Sequence, residues 1–220
     1  MNNSLLIQAL QGIQPGTISH REFQKLAGIT DRTLVLRLLD LLAENGIGTA
    51  QLSLQKTRRT IVFSESDRLS ASLLAIQNGC DIERVSAILD WKDFEALAAR
   101  VLELTGYTTS KNMRFRRPRV EIDVVGRMNG LAVAVDCKHW NRRNSSAVRA
   151  AASKQAARCS RLLENSGANA RSISRVLPVV LTLYPLPFRF SDGIPVVPVT
   201  QFAAFVRDLD SFAGELRFIV

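Results

Sequence analysis

One stretch, Arg119–Trp140 (RVEIDVVGRMNGLAVAVDCKHW), limits the possible folds of this chain more than any other. Two short apolar runs, Val120–Val125 and Leu131–Val135, flank the dipeptide Asn129-Gly130. This dipeptide strongly favours a two-residue hairpin turn, because both of its residues tolerate positive φ angles. We therefore predict that the stretch folds as a β-hairpin.

The turn also predicts which residues face each other across the hairpin. If the dipeptide forms the loop, Met128 faces Leu131, and Asp123 lies directly across from Asp136. Because side chains alternate along strands, one face would carry four charged residues: Glu121, Asp123, Asp136 and Lys138. Two opposed aspartates are destabilising unless a cation lies beside them. We interpret this face as a divalent-metal site with a lysine next to it. The alternative is a buried salt-bridge cluster of the aspartates with Lys138.

Length and composition bound the class of protein. With 220 residues, of which 46% are hydrophobic, the chain is long enough for one domain of ordinary size and a small one. It has no run of about 18 apolar residues and no apolar leader with a basic start, which argues against a membrane-spanning or secreted protein. Its three cysteines are far apart and form no CxxC motif. We therefore predict a reducing, cytoplasmic location without structural zinc or disulfides.

The net charge of +9 is unevenly distributed. Residues 1–90 hold nine basic and nine acidic side chains, whereas residues 91–220 hold twenty basic and eleven acidic ones. Between residues 111 and 161 there are thirteen basic residues and three acids, which are Glu121, Asp123 and Asp136. This pattern is typical of a polyanion-binding surface with a metal at its centre, and the alternative is a solvated basic surface.

Residues 1–66 are predicted to form a winged-helix domain. Three short helices, the third over Asp31–Glu44 with Thr30 as its cap, precede two strand-like runs joined by a basic segment. The third helix of such a domain usually enters the DNA major groove, but its exposed charges are balanced here. A docking or dimerisation module is therefore an equally open interpretation. We expect the basic tip to contact a DNA backbone through Lys56, Arg58 and Arg59.

Residues 67–89 are predicted to be a helical connector, and residues 90–220 an α/β domain with a mixed sheet. The predicted order is a helix capped by Asp90, the hairpin, a helix over Ser145–Asn165, strands over Val176–Leu183 and Ile194–Val199, and a last helix over Gln201–Leu209. Glu95 lies at the edge of the apolar stripe of the first helix, and Gln155 occupies an interior position of the second. A structural role for either residue is as open as a functional one.

The residues together carry a family resemblance. The order WKDFE, a glycine-closed helix, EID, DCKHW and a helix containing Gln155 resembles the PD-(D/E)XK nuclease superfamily over residues 90–183. More narrowly, it is similar to Mrr-type restriction endonucleases and archaeal Holliday junction resolvases. A DxK tripeptide alone is a weak signal. Asp123 followed thirteen residues later by Asp136-Cys137-Lys138, on paired strands between matching helices, is a much stronger one.

The resemblance implies a fold and a set of roles. The fold would be a restriction-endonuclease-like core with a mixed central sheet flanked by helices, beside the small winged-helix domain. Asp123 and Asp136 would be metal ligands, assisted by the backbone carbonyl of Cys137. Lys138 would be the catalytic lysine. Glu95 would be the additional acid of the first helix, and Gln155 the active-site glutamine. This chain has Asp rather than the commoner Glu at position 136, and no proline precedes Asp123.

These observations lead to a functional hypothesis. We expect a Mg²⁺-dependent endodeoxyribonuclease, with Mn²⁺ able to substitute, that acts in restriction, repair or recombination and works as a homodimer. The sequence contains no Gly-rich phosphate loop, so we expect no nucleotide cofactor. Besides the wing tip, the expected DNA-contacting residues are Lys111, Arg114, Arg116, Arg117, Arg119, Arg142, Arg143, Lys154 and Arg158. The alternatives are a catalytically inactive DNA-binding regulator or scaffold, and an RNA-directed nuclease.

Overall fold

A computed structural model describes residues 3–52, 59–116, 119–138, 145–165 and 173–220. The chain divides into two compact units, Met1–Leu89 and Asp90–Val220. Within the described ranges, no helix is both long and apolar enough to cross a membrane.

The first unit contains five helices and a three-stranded sheet among its described residues. Its elements are α1 (Asn3–Gly12), β1 (Gly16–Ser19), α2 (His20–Ala27), α3 (Arg32–Glu44), β2 (Thr49–Leu52), β3 (Arg59–Phe63), α4 (Asp67–Gln77) and α5 (Ile82–Ile88). The sheet has the order β1-β3-β2, and both pairings are antiparallel. Strand β1 was not predicted, because its four residues are too few to show an alternating pattern.

Side-chain caps define where the helices of this unit begin. Ser19 accepts a hydrogen bond from the backbone N–H of Glu22 at the start of α2. Helix α3 is capped by Asp31, whose carboxylate accepts from the N–H of Thr33 at 2.7 Å. The prediction of Thr30 as this cap was therefore wrong by one residue.

Helices α4 and α5 belong to the core of the first unit. Ala71 and Ala75 of α4 and Val85 of α5 lie in one buried cluster with Leu6 and Leu10 of α1. The segment interpreted from the sequence as a connector thus contributes side chains to the same core as the helices before it.

The second unit is a mixed α/β domain, as predicted. Its elements are α6 (Trp91–Leu104), β4 (Thr108–Arg116), β5 (Arg119–Met128), β6 (Leu131–Lys138), α7 (Ser145–Glu164), β7 (Arg175–Thr182), β8 (Phe190–Ser191), β9 (Ile194–Pro198), α8 (Val199–Arg207) and a 3-10 turn (Leu209–Phe212). The six strands lie in the order β4-β5-β6-β7-β9-β8. Strands β6, β7 and β9 are parallel, and the other pairings are antiparallel.

The hairpin between β5 and β6 has the predicted turn. Asn129 and Gly130 have φ angles of 48° and 80°, and Met128 faces Leu131. These positive angles are those of the two-residue turn that matches the twist of the flanking strands.

Helices α6 and α7 cover opposite faces of β5. A side chain at Gly126 would lie 3.1 Å from Leu102 of α6, so this helix packs closely on that face. The neighbouring Val125 lies in a buried cluster with Cys159 and Leu162 of α7. Adjacent strand residues point to opposite faces, so the sheet is buried on both sides here.

Strand β7 carries a proline in the middle of the sheet. A central strand rarely accepts proline, which cannot donate a ladder hydrogen bond. Pro178 lies between Val176, which exchanges two hydrogen bonds with Ile219, and Val180, which pairs with Val196 of β9. On this edge of β7 the pairing with Ile219 lies before Pro178 and the pairing with β9 lies after it. The proline therefore occupies a position that needs no ladder hydrogen bond.

Candidate active site

The candidate site lies where β5 and β6 stop pairing. The ladder between these strands ends at Val124 and Val135. Beyond that point β5 continues along β4, whereas β6 continues along β7 as far as Lys138. The strands therefore part at Asp123 and Asp136, which are the next residues of each.

Strand β5 is irregular at Asp123. Asn112, the β4 residue opposite Asp123, has a φ of 51°. Ile122 lies in the same buried cluster as Val125 and Ala134, although strict alternation would place Ile122 and Val125 on opposite faces. The strand thus turns at Asp123, and from there to Arg119 it is paired with β4.

Because β5 turns, the regular charged face predicted from the register does not extend along the whole hairpin. Glu121 was expected to lie across from Lys138. It instead bonds to Arg114 on β4, with Nη2 and Oε1 3.1 Å apart.

Asp123 holds the two strands together at the fork. Its Oδ2 accepts a hydrogen bond from the backbone N–H of Cys137 at 2.8 Å. In a regular hairpin of this register, that N–H would donate to the carbonyl of Ile122, because alternate opposed pairs exchange two hydrogen bonds. The Asp123 carboxylate therefore replaces a backbone acceptor, and it lies beside the residue that follows Asp136.

Asp136 lies between two positively charged side chains, Lys138 and Arg158. Its side chain is 2% exposed, and its Oδ1 accepts from Lys138 Nζ at 3.0 Å and from Arg158 Nη1 at 2.7 Å. Lys138 Nζ is also 2.9 Å from Oδ2, at an angle that makes no hydrogen bond. Oδ2 is thus a buried carboxylate oxygen that lies beside the Lys138 ammonium and accepts no hydrogen bond among the described residues.

Helix α7 supports Asp136 with two residues one turn apart. Gln155 is fully buried, and its Nε2 donates to the carbonyl of Ala134 on β6 at 2.9 Å. Arg158 Nη1 lies 3.4 Å from Gln155 Oε1. The polar residue predicted inside this helix therefore bonds to the backbone of β6 and to the guanidinium that contacts Asp136.

Glu95 brings a third carboxylate to the region. This side chain of α6 is 6% exposed, and its pKa is raised to about 7. Burial is the largest cause, the negative charges of Asp123, Glu121 and Asp136 add to it, and Lys111 acts in the opposite direction. The pKa of Asp123 is also raised, first by burial and then by the charge of Asp136, against the lowering effect of the Cys137 N–H. The carboxylates therefore repel one another, and a bound cation would relieve this repulsion.

The donor atoms suit a hard divalent cation. The available groups are the carboxylates of Asp123 and Asp136, including the buried Oδ2, and the carbonyl of Cys137, all of them oxygens. Mg²⁺ prefers oxygen ligands and keeps several waters, so few protein ligands are sufficient. In the described part of the chain, no group of three or more His, Cys, Asp or Glu side chains is arranged to hold a metal. Two carboxylates and a carbonyl are therefore the largest protein contribution that these residues offer.

Apart from Arg158, the residues expected to contact nucleic acid fall into three groups. Lys111, Arg114, Arg116 and Arg119 are exposed on β4 and β5, and Lys154 is exposed on α7. Arg59 begins β3 in the first unit. Outside the described residues lie Lys56, Arg58, Arg117, Arg142 and Arg143.

Arg158 is the site residue whose place the sequence analysis did not anticipate. It was expected to contact DNA, like Lys154 on the same helix. Its guanidinium instead bonds to Asp136, and its side chain is 28% exposed. A signal was present, because residues three apart lie on one side of a helix and Gln155 was already assigned to the interior.

Comparison with known proteins connects this geometry to a family. Residues 87–167 match the family Mrr_cat, described as a restriction endonuclease. An uncharacterized protein of Archaeoglobus fulgidus is 29% identical over 133 residues, which cover 59% of this chain and 98% of that protein. The crystal structure of protein VC1899 from Vibrio cholerae is 14% identical with a TM-score of 0.41, covering 97% of this chain and 50% of that one. This chain therefore spans half the length of that solved protein.

The segment that matches the family contains every residue predicted to act in catalysis. These residues are Glu95, Asp123, Asp136, Lys138 and Gln155. Residues 87–167 of this chain are a restriction endonuclease domain of the Mrr_cat family, of the PD-(D/E)XK type.

Proposed function

We propose that this protein is a Mg²⁺-dependent endodeoxyribonuclease that hydrolyses DNA phosphodiester bonds in restriction, repair or recombination. The observation that carries the proposal is the fork between β5 and β6, where Asp123, Asp136 and Lys138 come together inside the segment that matches the family.

The two aspartates and the Cys137 carbonyl would hold the cation, which is Mg²⁺ or, in its place, Mn²⁺. When bound, a divalent cation neutralises charge that develops on the phosphate and makes water a better nucleophile. The raised pKa of Asp123 supports this assignment, because it indicates a carboxylate that gains from a cation.

Other side chains of the site have separate proposed roles. Lys138 would turn from Asp136 toward the substrate, where its ammonium can stabilise charge on the phosphate oxygens or orient the attacking water. Glu95, whose pKa lies at about 7, can accept or release a proton near neutral pH. Gln155 and Arg158 would position Asp136 from α7, since both bond to β6 or to Asp136 itself.

We also propose that the enzyme is a homodimer, because cutting both strands of a duplex requires two sites. The basic residues of β4 and β5, Lys154 and the wing-tip residues would contact DNA phosphates. For the first unit we propose a winged helix. Its support is the element order of a helix, a strand, two helices and two strands. The exposed charges of α3 are balanced, so they favour neither DNA binding nor docking.

One observation favours a second candidate function. Asp136 already bonds to two cations of the chain, so its charge is satisfied without a metal. A DNA-binding regulator or scaffold on an inactive nuclease fold would retain such a cluster.

Plasmid nicking separates the two functions. We expect the wild type and the exposed control variant Arg207→Ala to nick supercoiled DNA with Mg²⁺ or Mn²⁺ but not with EDTA. Lys138→Ala should lower the rate by about 100-fold or more, the usual effect of losing a group that stabilises transition-state charge. Unchanged nicking by Lys138→Ala would reject the assignment. DNA binding without cleavage of linear, branched, methylated or single-stranded DNA would favour the regulator.

A further inference from the structure

Strands β4 and β5 form a ribbon that extends beyond the rest of the sheet. They pair from Thr108 and Arg127 to Arg116 and Arg119, whereas β5 leaves β6 after Val124. We name residues 111–116 and 119–124 the β4–β5 ribbon; it begins at Val124, the last β5 residue paired with β6, and continues past the fork. At about 3.3 Å per residue, five residues of this ribbon span roughly 17 Å.

The ribbon has one apolar face that fixes it to the domain. Met113 and Phe115 of β4 pack against a buried cluster that contains Ile122 of β5 and Cys159 and Leu162 of α7. The ribbon is therefore held by core contacts along its length.

The other face of the ribbon concentrates positive charge. Lys111, Arg114, Arg116 and Arg119 are all exposed. Arg116 faces Arg119 directly across the strands, an arrangement of like charges that destabilises a hairpin. Glu121 offsets one of these charges through its contact with Arg114. A pair of facing arginines at the end of a fixed ribbon is expected where a polyanion supplies the missing negative charge.

The shape of the ribbon selects among polyanions. The major groove of B-form DNA is about 12 Å wide and admits a two-stranded ribbon. The major groove of A-form RNA is too deep and narrow for side chains to enter, and a single strand has no groove. Asp123 lies on the same strand as Arg119, roughly 13 Å away at 3.3 Å per residue, so a ribbon in the groove would lie beside the candidate site.

We propose that the β4–β5 ribbon inserts into the major groove of duplex DNA and makes this protein select B-form duplex over RNA duplex and single strands. The inference rests on the proposed function for the position of the cut, but the selectivity concerns binding alone. Arg116 and Arg119 are the residues that contact the phosphates on either side of the groove.

Binding in EDTA measures this selectivity without cleavage. The full chain is titrated into a labelled 20-base-pair DNA duplex, the RNA duplex of the same sequence, and the single DNA strand, and anisotropy is recorded at several salt concentrations. The test variant is Arg116→Gln/Arg119→Gln. Its matched control, Arg207→Gln/Arg217→Gln, removes the same charge from exposed arginines elsewhere in the domain.

We expect the wild type to bind the DNA duplex at least 10-fold more tightly than the other two probes. The test variant should lose this preference, and its plot of log K against log salt should be shallower by about 2, one unit for each lost phosphate contact. The control should lose less than 3-fold for every probe. Thermal unfolding checks folding: the test variant should be at least as stable as the wild type, because two facing like charges are removed.

Either of two results overturns the inference: a test variant that binds like the control, or one that loses affinity equally for all three probes. The proposed nuclease function fails separately. A protein that selects duplex through the ribbon but never nicks DNA with Mg²⁺ would refute the hydrolytic role and leave the ribbon assignment standing.

Discussion

Arg158 Nη1 lies 2.7 Å from Asp136 Oδ1, and this contact joins α7 to the end of β6. The carboxylate is 2% exposed and the guanidinium side chain 28% exposed, so water screens the pair less than it screens a surface ion pair. Through this contact Arg158, which lies 22 positions after Asp136 in the sequence, becomes part of the candidate site.

Removing the Arg158 side chain should destabilise the second unit. Asp136 retains Lys138, so we expect Arg158→Met to cost about 1–3 kcal/mol, less than a buried charge left with no partner. Urea unfolding in EDTA, followed by tryptophan fluorescence, reports on this unit because both tryptophans lie in residues 90–220.

The same helix offers the matched control for that variant. Arg161 pairs with Glu164, and their side chains are 45% and 57% exposed. Arg161→Met should change the free energy of unfolding by about 0.5 kcal/mol or less. Equal effects of the two substitutions would contradict the assigned contact with Asp136.

Glu95 should make the metal-free protein less stable as the pH rises. Its pKa is about 7 in the folded state against an ordinary value of 4.5, so between these values the unfolded chain has lost a proton that the folded protein keeps. The free energy of unfolding therefore falls as pH rises from about 4.5 to 7, by about 3 kcal/mol from this group. Glu95→Gln should flatten that dependence in thermal melts recorded in EDTA. A variant with the wild-type slope would show that Glu95 titrates normally.

Asp123→Asn should change stability in opposite directions without and with metal. The asparagine can still accept the Cys137 N–H, but it removes a negative charge that is disfavoured by burial and by Asp136. In EDTA the variant should be as stable as the wild type or more so. In excess Mg²⁺ or Mn²⁺ only the wild type should gain, because a ligand that binds the folded state stabilises it by mass action. Calorimetric melts of both proteins decide this, and an equal gain with metal would place the cation elsewhere.

The hairpin could be predicted from the sequence because its determinants are local. Asn129-Gly130 sets the turn, the turn sets the register, and the apolar runs on either side identify the strands. Helix starts such as the Asp90 cap of α6 are local in the same way.

Strand β4 could not be predicted by the same approach. It is an edge strand with the sequence TTSKNMRFR, in which only Met113 and Phe115 are apolar. Its partner is what makes it a strand, since it pairs with β5 over nearly its whole length. The turn of β5 at Asp123 follows from that pairing and was hidden for the same reason.

The site was predictable to the extent that its residues are close in sequence. Asp123, Asp136 and Lys138 were brought together by one hairpin, whereas the contact of Arg158 with Asp136 depends on how α7 lies on the sheet. Helical periodicity identifies the side of a helix that is buried, but the partner of each residue depends on the tertiary packing.

Anomalous diffraction from crystals grown with Mn²⁺ shows whether Asp123 and Asp136 bind a metal ion together. We predict an anomalous peak bonded to the carboxylates of Asp123 and Asp136, with the Lys138 ammonium turned away from Asp136. Manganese bound only elsewhere, with Lys138 and Arg158 still on Asp136, would contradict the account and leave a buried ion-pair cluster in place of a hydrolytic centre.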